Sequence, residues 1–261
     1  MSVVLLIVLL AMVMVIAMTI AWQIVLRTGQ SGFTDVIWSY ATGVAGVAAA
    51  LVPIEGVPTS ARNWLVAALV AVWSIRLGTH ILSRTHPGGD DPRYAAKKAE
   101  WGDDYRTQLF IFLQIQAGAG LVLAVAVLAA ASNPLPLGLF DLLGILVAIV
   151  AIVGESIADN QLAAFRKDPA NKGKVCDVGL WSLSRHPNYF FEWFYWLAYP
   201  IIGLGYGWGI VALAAPALMY WLLVHASGIP PLEAHMERSR PEAFAAYKRR
   251  VSAFWPIPKR T

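Results

Sequence analysis

Charge is scarce in this chain, and cysteine is nearly absent. Only 14% of its 261 residues are Asp, Glu, Lys or Arg, against roughly a quarter in a soluble domain. Together with 58% hydrophobic residues and a mean hydropathy of +0.59, that shortage excludes a soluble globular enzyme, a disordered chain and a nucleic-acid module. A single cysteine, Cys176, excludes an intrachain disulfide and a cysteine-based metal centre. Five scattered histidines and the lack of an H-E-x-x-H pair leave no dedicated metal site. No G-x-G-x-x-G follows a strand, and neither a Walker A nor a G-x-S-x-G stretch occurs. A soluble-type dinucleotide domain, a P-loop and a serine-hydrolase elbow are therefore not expected.

What the chain has is apolar length. Seven stretches lie near 3–26, 33–52, 63–83, 107–131, 138–162, 189–204 and 208–226. They are read as crossings of a hydrocarbon core about 30 Å thick, at about 1.5 Å per residue. No basic segment precedes the first, and it is longer than a signal-peptide core, so it reads as a retained helix. The expected fold is all-α: a polytopic membrane protein forming one membrane domain over 1–261, a seven-transmembrane helix bundle.

Basic residues orient that bundle. With the N-terminus outside, the inner loops hold Arg27, Arg84, Arg93, Lys97, Lys98, Arg106, Arg166, Lys167, Lys172, Lys174 and Arg185. The tail adds a run from Arg238 to Arg260, and the outer loops hold only Arg62. The positive-inside rule then gives N-terminus out and C-terminus cytoplasmic. The net charge of +4 and the pI near 9.2 report this topology. Polar segments 84–106, 159–192 and 225–258 all fall on the cytoplasmic side, while the connections 132–137 and 205–207 are short and uncharged. Chemistry is expected to face the cytoplasm.

Ionisable groups in a span are costly and need a partner or a task. Asp35 sits early in the second span. Arg76 and His80 are spaced i, i+4 in the third, with Arg84 four further on, so they share a helix face. That face is either structurally paired or a polar stripe lining a cavity. Within 154–193, Glu155 and Asp159 lie one turn apart and can accept ribose hydroxyls. Arg166, Lys172 and Lys174 can neutralise phosphates. Residues 168–174 have turn chemistry, and Asn188 and Glu192 are again one turn apart. These are the donors and acceptors of a nucleotide-cofactor pocket.

From Ala158 to Trp193, the stretches ADNQLAAFRKDPANKGK and GLWSLSRHPNYFFEW resemble the C-terminal part of the steroid 5α-reductase family, in particular its bacterial branch called DUF1295. TDVIW, WSIRLGTHILSR, DDPRY (Asp90 to Tyr94) and the tail SGIPPLEAHM…YKRRVSAFWPIP are similar to the same branch. Sterol C14 reductases carry a similar FR-x-DP followed by R-H-x-N-Y. The resemblance implies a seven-helix reductase of the bacterial inner membrane, with NADPH in a cavity opening to the cytoplasm. It would reduce a carbon–carbon double bond conjugated to a carbonyl in a sterol-like or other lipid. Asp159, Arg166, Asn188 and Glu192 fall where that family contacts NADPH. Lys174 stands where it carries an arginine, Arg76 falls near another cofactor arginine, and Arg185 and His186 belong to the shared turn. Residues 154–258 thus form the cofactor-binding half.

The family's catalytic Glu–Tyr pair has no clear match in the N-terminal half. Asp35 and His80 take its place as candidate catalytic groups, with Trp73 near the tyrosine position. Position 191 is Phe where the pattern usually has Gly. A carboxyl in a low-dielectric span can hold its proton and donate to a developing enolate; the other role open to Asp35 is to neutralise Arg76. Implied partners are a lipid substrate and membrane lipids, with no nucleic acid and no obligate protein partner.

Two other readings stand beside this one. Isoprenylcysteine carboxyl methyltransferases, membrane enzymes that use S-adenosylmethionine, show a similar R-H-P-x-Y turn, a distal Glu and a tail Tyr. Arg185-His186-Pro187-x-Tyr189, Glu233 and Tyr247 fit that pattern, whereas FRKDPANKGK and Glu192 favour the reductase. The third reading is a non-catalytic lipid-binding protein, in which Gly43, Gly46, Gly203 and Gly205 serve only close helix packing.

Overall fold

A computed structural model describes residues 1–85 and 92–257, with the side chains of residues 92 and 93 not described. Asp90 and Asp91 of the DDPRY motif, the Arg93 side chain, and Lys259 and Arg260 of the basic tail lie outside the described residues. Among those described, regular structure is helical, apart from one isolated parallel bridge between Ser184 and Ser252. Five helical segments are long and apolar enough to cross a membrane: Val3–Thr28, Ala61–Arg84, Tyr94–Ala131, Leu139–Lys167 and Gly207–Ser239. Large apolar side chains stay exposed along the first and fourth of these, among them Val4, Val8, Met12, Ile16, Leu142, Leu146, Ile149 and Val153. Such outward apolar faces fit an integral membrane protein.

Two of the seven expected spans are not among the five. The second is a helix, α2 (Phe33–Leu51), but Asp35, Thr34, Ser39, Tyr40 and Thr42 dilute its apolar character. The sixth is interrupted. It consists of α7 (Pro187–Trp196) and α8 (Ala198–Ile202), and at the break the Leu197 N–H reaches back only to the Phe194 carbonyl, 3.2 Å. Pro200, inside α8, has no N–H with which to bond the Trp196 carbonyl four residues earlier, so the helical ladder is broken where α7 ends.

The chain forms two compact units, Met1–Leu143 with Tyr199–Ala215, and Gly144–Ala198 with Pro216–Thr261. Of residues 154–258, those in 199–215 belong to the first unit and the rest to the second.

The first unit is built on α1 (Val3–Thr28), α2, α3 (Ala61–Arg84) and α5 (Tyr105–Ala131), with the short α4 (Pro92–Trp101) against α5. Ser2 caps α1 by accepting the Leu5 N–H. Gly29 ends it at φ +71°, donating its own N–H to the Val25 carbonyl, a left-handed stop that glycine adopts without a Cβ clash. Ser60 and Asn63 form a reciprocal capping box at the start of α3, satisfying two donors that a helix start leaves open. Lipid is as apolar as leucine, so close packing rather than expulsion of water holds such helices together. Accordingly, Gly43 and Gly46 of α2 lie directly against Ser74 and Val70 of α3, and Ser74 Oγ donates to the Ser39 carbonyl at 2.9 Å. A second close approach pairs Gly203 with Gly209, not with Gly205: a Cβ on Gly209 would run into the Gly203 carbonyl.

Arg62, the lone basic residue expected on the outer side, is buried. Its Nε and Nη2 donate to both carboxylate oxygens of Asp141 at 2.6 and 2.8 Å, and its remaining N–H groups bond the carbonyls of Asn133, Leu135 and Pro136. Asn133 in turn donates to the carbonyls of Ile202 and Leu204.

In the second unit, α6 (Leu139–Lys167) contributes its residues from Gly144 onward. Phe191 of α7 lays its ring on Gly154 of α6, so the bulk of that unusual Phe is absorbed by a glycine on the facing helix. Trp193 donates to the Pro216 carbonyl at the start of α9 (Ala214–Trp221). Phe190, Trp193, Tyr220, Phe254 and Trp255 pack mostly edge to face, the arrangement that ring quadrupoles favour. A single π-turn, Leu222–Ala226, precedes α10 (Ile229–Ser239) and α11 (Pro241–Arg250).

Candidate functional site

Beyond the apolar part of α6 the backbone turns sharply. Asp168 accepts the Ala170 N–H at 2.9 Å, Asn171 Nδ2 donates to the Phe165 carbonyl at 3.2 Å, and Gly173 takes φ +81°. These bonds fix a loop whose cationic side chains surround a cavity of about 450 Å³. Arg166, Lys167, Lys172 and Lys174 line it from the loop side, and Met236 and Arg240 from the corner between α10 and α11. Five cations thus face one carboxylate, Asp168, which the turn already engages. Cys176 also lines the cavity; burial pushes its thiol pKa up, so it sits there as a neutral thiol.

Next to the pocket-lining loop in sequence, residues 184–186 grip the C-terminal segment. The Arg185 N–H bonds the Ser252 carbonyl at 2.9 Å, and Ser184 Oγ donates to the Phe254 carbonyl at 2.9 Å. Arg185 holds Glu233 with Nε and Nη2, at 2.7 and 3.2 Å, and reaches the Val251 carbonyl with Nη1. His186 Nε2 lies 3.1 Å from the same Glu233 carboxylate, and its ring stacks on Tyr189. Burial lowers the His186 pKa, outweighing the pull of Glu233, because Arg185 already neutralises that carboxylate. Tyr247 donates to the carbonyls of Trp181 and Ser184, and burial raises its pKa.

The sequence-predicted cofactor residues therefore divide. Arg166 and Lys174 line the cavity. Arg185 and His186 converge on Glu233 instead. Asp159 is buried on α6 beside Ala158, whose carbonyl accepts from Trp181 Nε1 at 2.9 Å, and near Gln161, whose Oε1 accepts the Leu180 N–H. Much of the ADNQ motif thus anchors the GLW turn. Glu192 is buried and accepts from Trp196 Nε1 at 3.1 Å. Asn188 is half-buried at the start of α7.

A second polar cluster lies in the first unit. Asp35 Oδ1 accepts from the Tyr94 hydroxyl at 3.2 Å. Gln116 of α5 approaches the same hydroxyl with Nε2 at 3.4 Å, and its backbone carbonyl accepts from Trp38 Nε1. Tyr94 is 3% exposed. Trp73, near the expected tyrosine position, is fully buried with its ring edge-on to Trp38. Arg76 and His80 are half-buried one turn apart on α3. Sequence reasoning quoted Tyr94 only as the end of DDPRY. The signal that could have found it is the carboxylate at position 35, which needs a donor inside a helix bundle. Arg240 was counted only as part of a basic tail.

A family model described as a protein of unknown function, DUF1295, matches residues 21–251. The probable O-methyltransferase ustE of Ustilaginoidea virens is 38% identical over 85 residues, which is 29% of this chain and 30% of that protein. The matched part therefore spans less than a third of that relative. No solved structure matches the chain.

Proposed function

The chain belongs to the DUF1295 family, and from the resemblance of its residues 158–193 to the steroid 5α-reductase family we propose a membrane-embedded, NADPH-dependent reductase of a conjugated carbon–carbon double bond in a sterol-like or other lipid enone. The observation that carries this reading is the cationic cavity of the second unit, with five cations against one carboxylate. A dinucleotide brings phosphates that such a cavity neutralises. S-adenosylmethionine brings a sulfonium cation and no phosphate. Arg166 and Lys174 hold phosphate in this reading, while Asp159, Asn188, Glu192, Arg185 and His186 position the rest of the cofactor directly or through neighbours.

When bound, NADPH supplies a hydride for the carbon β to the substrate carbonyl. The protein's task is to meet the charge that develops on the carbonyl oxygen. Our candidates for that task are groups of the first unit: Tyr94, whose hydroxyl donates to Asp35 and would have to turn from it to serve that oxygen, with His80 as the alternative donor. In a titration followed by tryptophan fluorescence, NADPH is expected to saturate the full-length protein and S-adenosylmethionine to leave its signal unchanged. Arg166→Ala is expected to weaken NADPH binding by about tenfold or more, the scale of a charge-assisted hydrogen bond. Saturation by S-adenosylmethionine alone would overturn the reductase.

The methyltransferase is the second reading, favoured by one relative and by the gathering of Arg185, His186, Tyr189 and Glu233. The same titration decides between the two.

Our reading of the topology is seven crossings, N-terminus out, with the cationic cavity on the cytoplasmic side; the asymmetry of basic residues supports it. Leu137 and Lys172 are exposed and Cys176 is buried. Leu137→Cys and Lys172→Cys should therefore react with an impermeant maleimide from opposite sides of the membrane, and labelling from one side alone refutes this topology.

A further inference from the structure

Resting on the dinucleotide reading above, we propose that Arg240 binds the 2′-phosphate of the cofactor and so selects NADPH over NADH. The cavity has two walls of different origin. The loop wall presents Arg166, Lys172 and Lys174 as exposed, solvated cations. The other wall is the α10–α11 corner, and Arg240 there differs in kind. Its Nε is buried and has no hydrogen-bond partner among the described residues. Its Nη1 reaches the Met236 sulfur at 3.4 Å, a weak acceptor.

Two carboxylates of α10 are engaged elsewhere. Glu233 is held by Arg185, and Glu237 by Lys248 at 2.7 Å. A buried guanidinium N–H left without an acceptor is costly, and Arg240 lines a cavity, so we take the missing acceptor to be one that a ligand brings.

Two cationic walls suit a ligand with two separate anionic groups. NADH has one, its pyrophosphate; NADPH adds a phosphate monoester on the ribose. Flexible lysines with Arg166 suit the pyrophosphate as point charges. The planar fork of Arg240 suits the monoester, whose oxygens can accept two parallel N–H bonds. A cavity of about 450 Å³ falls within the usual range for small-ligand sites.

The test is titration of the purified full-length protein with NADPH and with NADH, comparing wild type, Arg240→Met and Arg240→Lys. Wild type is expected to prefer NADPH by about tenfold or more, and Arg240→Met to lose about 10- to 100-fold for NADPH with NADH held within about twofold. Arg240→Lys keeps the charge without the fork and should show a smaller selective loss, about three- to tenfold; it carries the test alone if Arg240→Met does not fold. Equal losses for both cofactors, or no loss, overturn the role of Arg240 and leave the reductase reading standing. A wild-type protein that binds neither dinucleotide overturns both.

Discussion

Replacing Arg62 with alanine is expected to lower the stability of the first unit by about 3–5 kcal/mol, the cost of stranding one member of a buried ion pair. The Arg62 and Asp141 side chains are 2% and 5% exposed, so water cannot take over for the lost guanidinium. Asp141 would keep backbone N–H donors such as Gly138, at 2.8 Å, in place of its cation. The carbonyls of Asn133, Leu135 and Pro136 would also lose their Arg62 donors. The double variant Arg62→Met with Asp141→Leu removes both charges and should recover much of the loss, because no buried carboxylate remains. Thermal or denaturant unfolding in detergent measures both. A single variant within about 0.5 kcal/mol of wild type, the scale of an ordinary surface change, would show that the pair does not hold the unit together.

On the reductase reading proposed above, Tyr94→Phe should slow hydride transfer to a lipid enone by about 100- to 1,000-fold, as loss of an oxyanion donor does, while NADPH affinity stays unchanged. The ring keeps its packing against Phe112, and only the hydroxyl goes. Asp35→Asn tests the holding role, since the amide keeps the size but offers the Tyr94 hydroxyl a neutral oxygen in place of a carboxylate. Single-turnover rates at saturating NADPH are the readout. If Asp35 serves only to balance Arg76, Asp35→Asn lowers the unfolding midpoint and leaves the rate intact. Parent rates in both variants pass the role of acid to His80 or another tyrosine.

Hydropathy alone located α1, α3, α5 and α6, because their apolar runs are long and uninterrupted. The second and sixth stretches are less legible, because Asp35 and four hydroxyl-bearing residues dilute α2 and the sixth is divided between α7 and α8 ahead of Pro200. The cationic loop was legible because Arg166, Lys172 and Lys174 lie within nine residues of one another. Its far wall was not, since Arg240 arrives only after a further run of helices. Tyr94 was hidden for the same reason: its partner Asp35 is 59 residues away, and nothing local to DDPRY speaks of a carboxylate. Phe191 stood out as a departure from pattern, and the glycine that accommodates it, Gly154, lies on the preceding helix.

The bond between Arg62 and Asp141 spans 79 residues, and that separation constrains the order in which the protein can be made. A ribosome delivers Arg62 long before its counter-ion exists, so α3 must be held at the translocon or in lipid with its guanidinium still seeking acceptors. Asp141 arrives with the first turn of α6, but the knot is not finished there. Asn133 waits for the carbonyls of Ile202 and Leu204, 69 and 71 residues later. Between those two moments the chain emits Gly144–Ala198, which belongs to the other unit. The unit begun first is therefore closed only after a large part of the second has been synthesised.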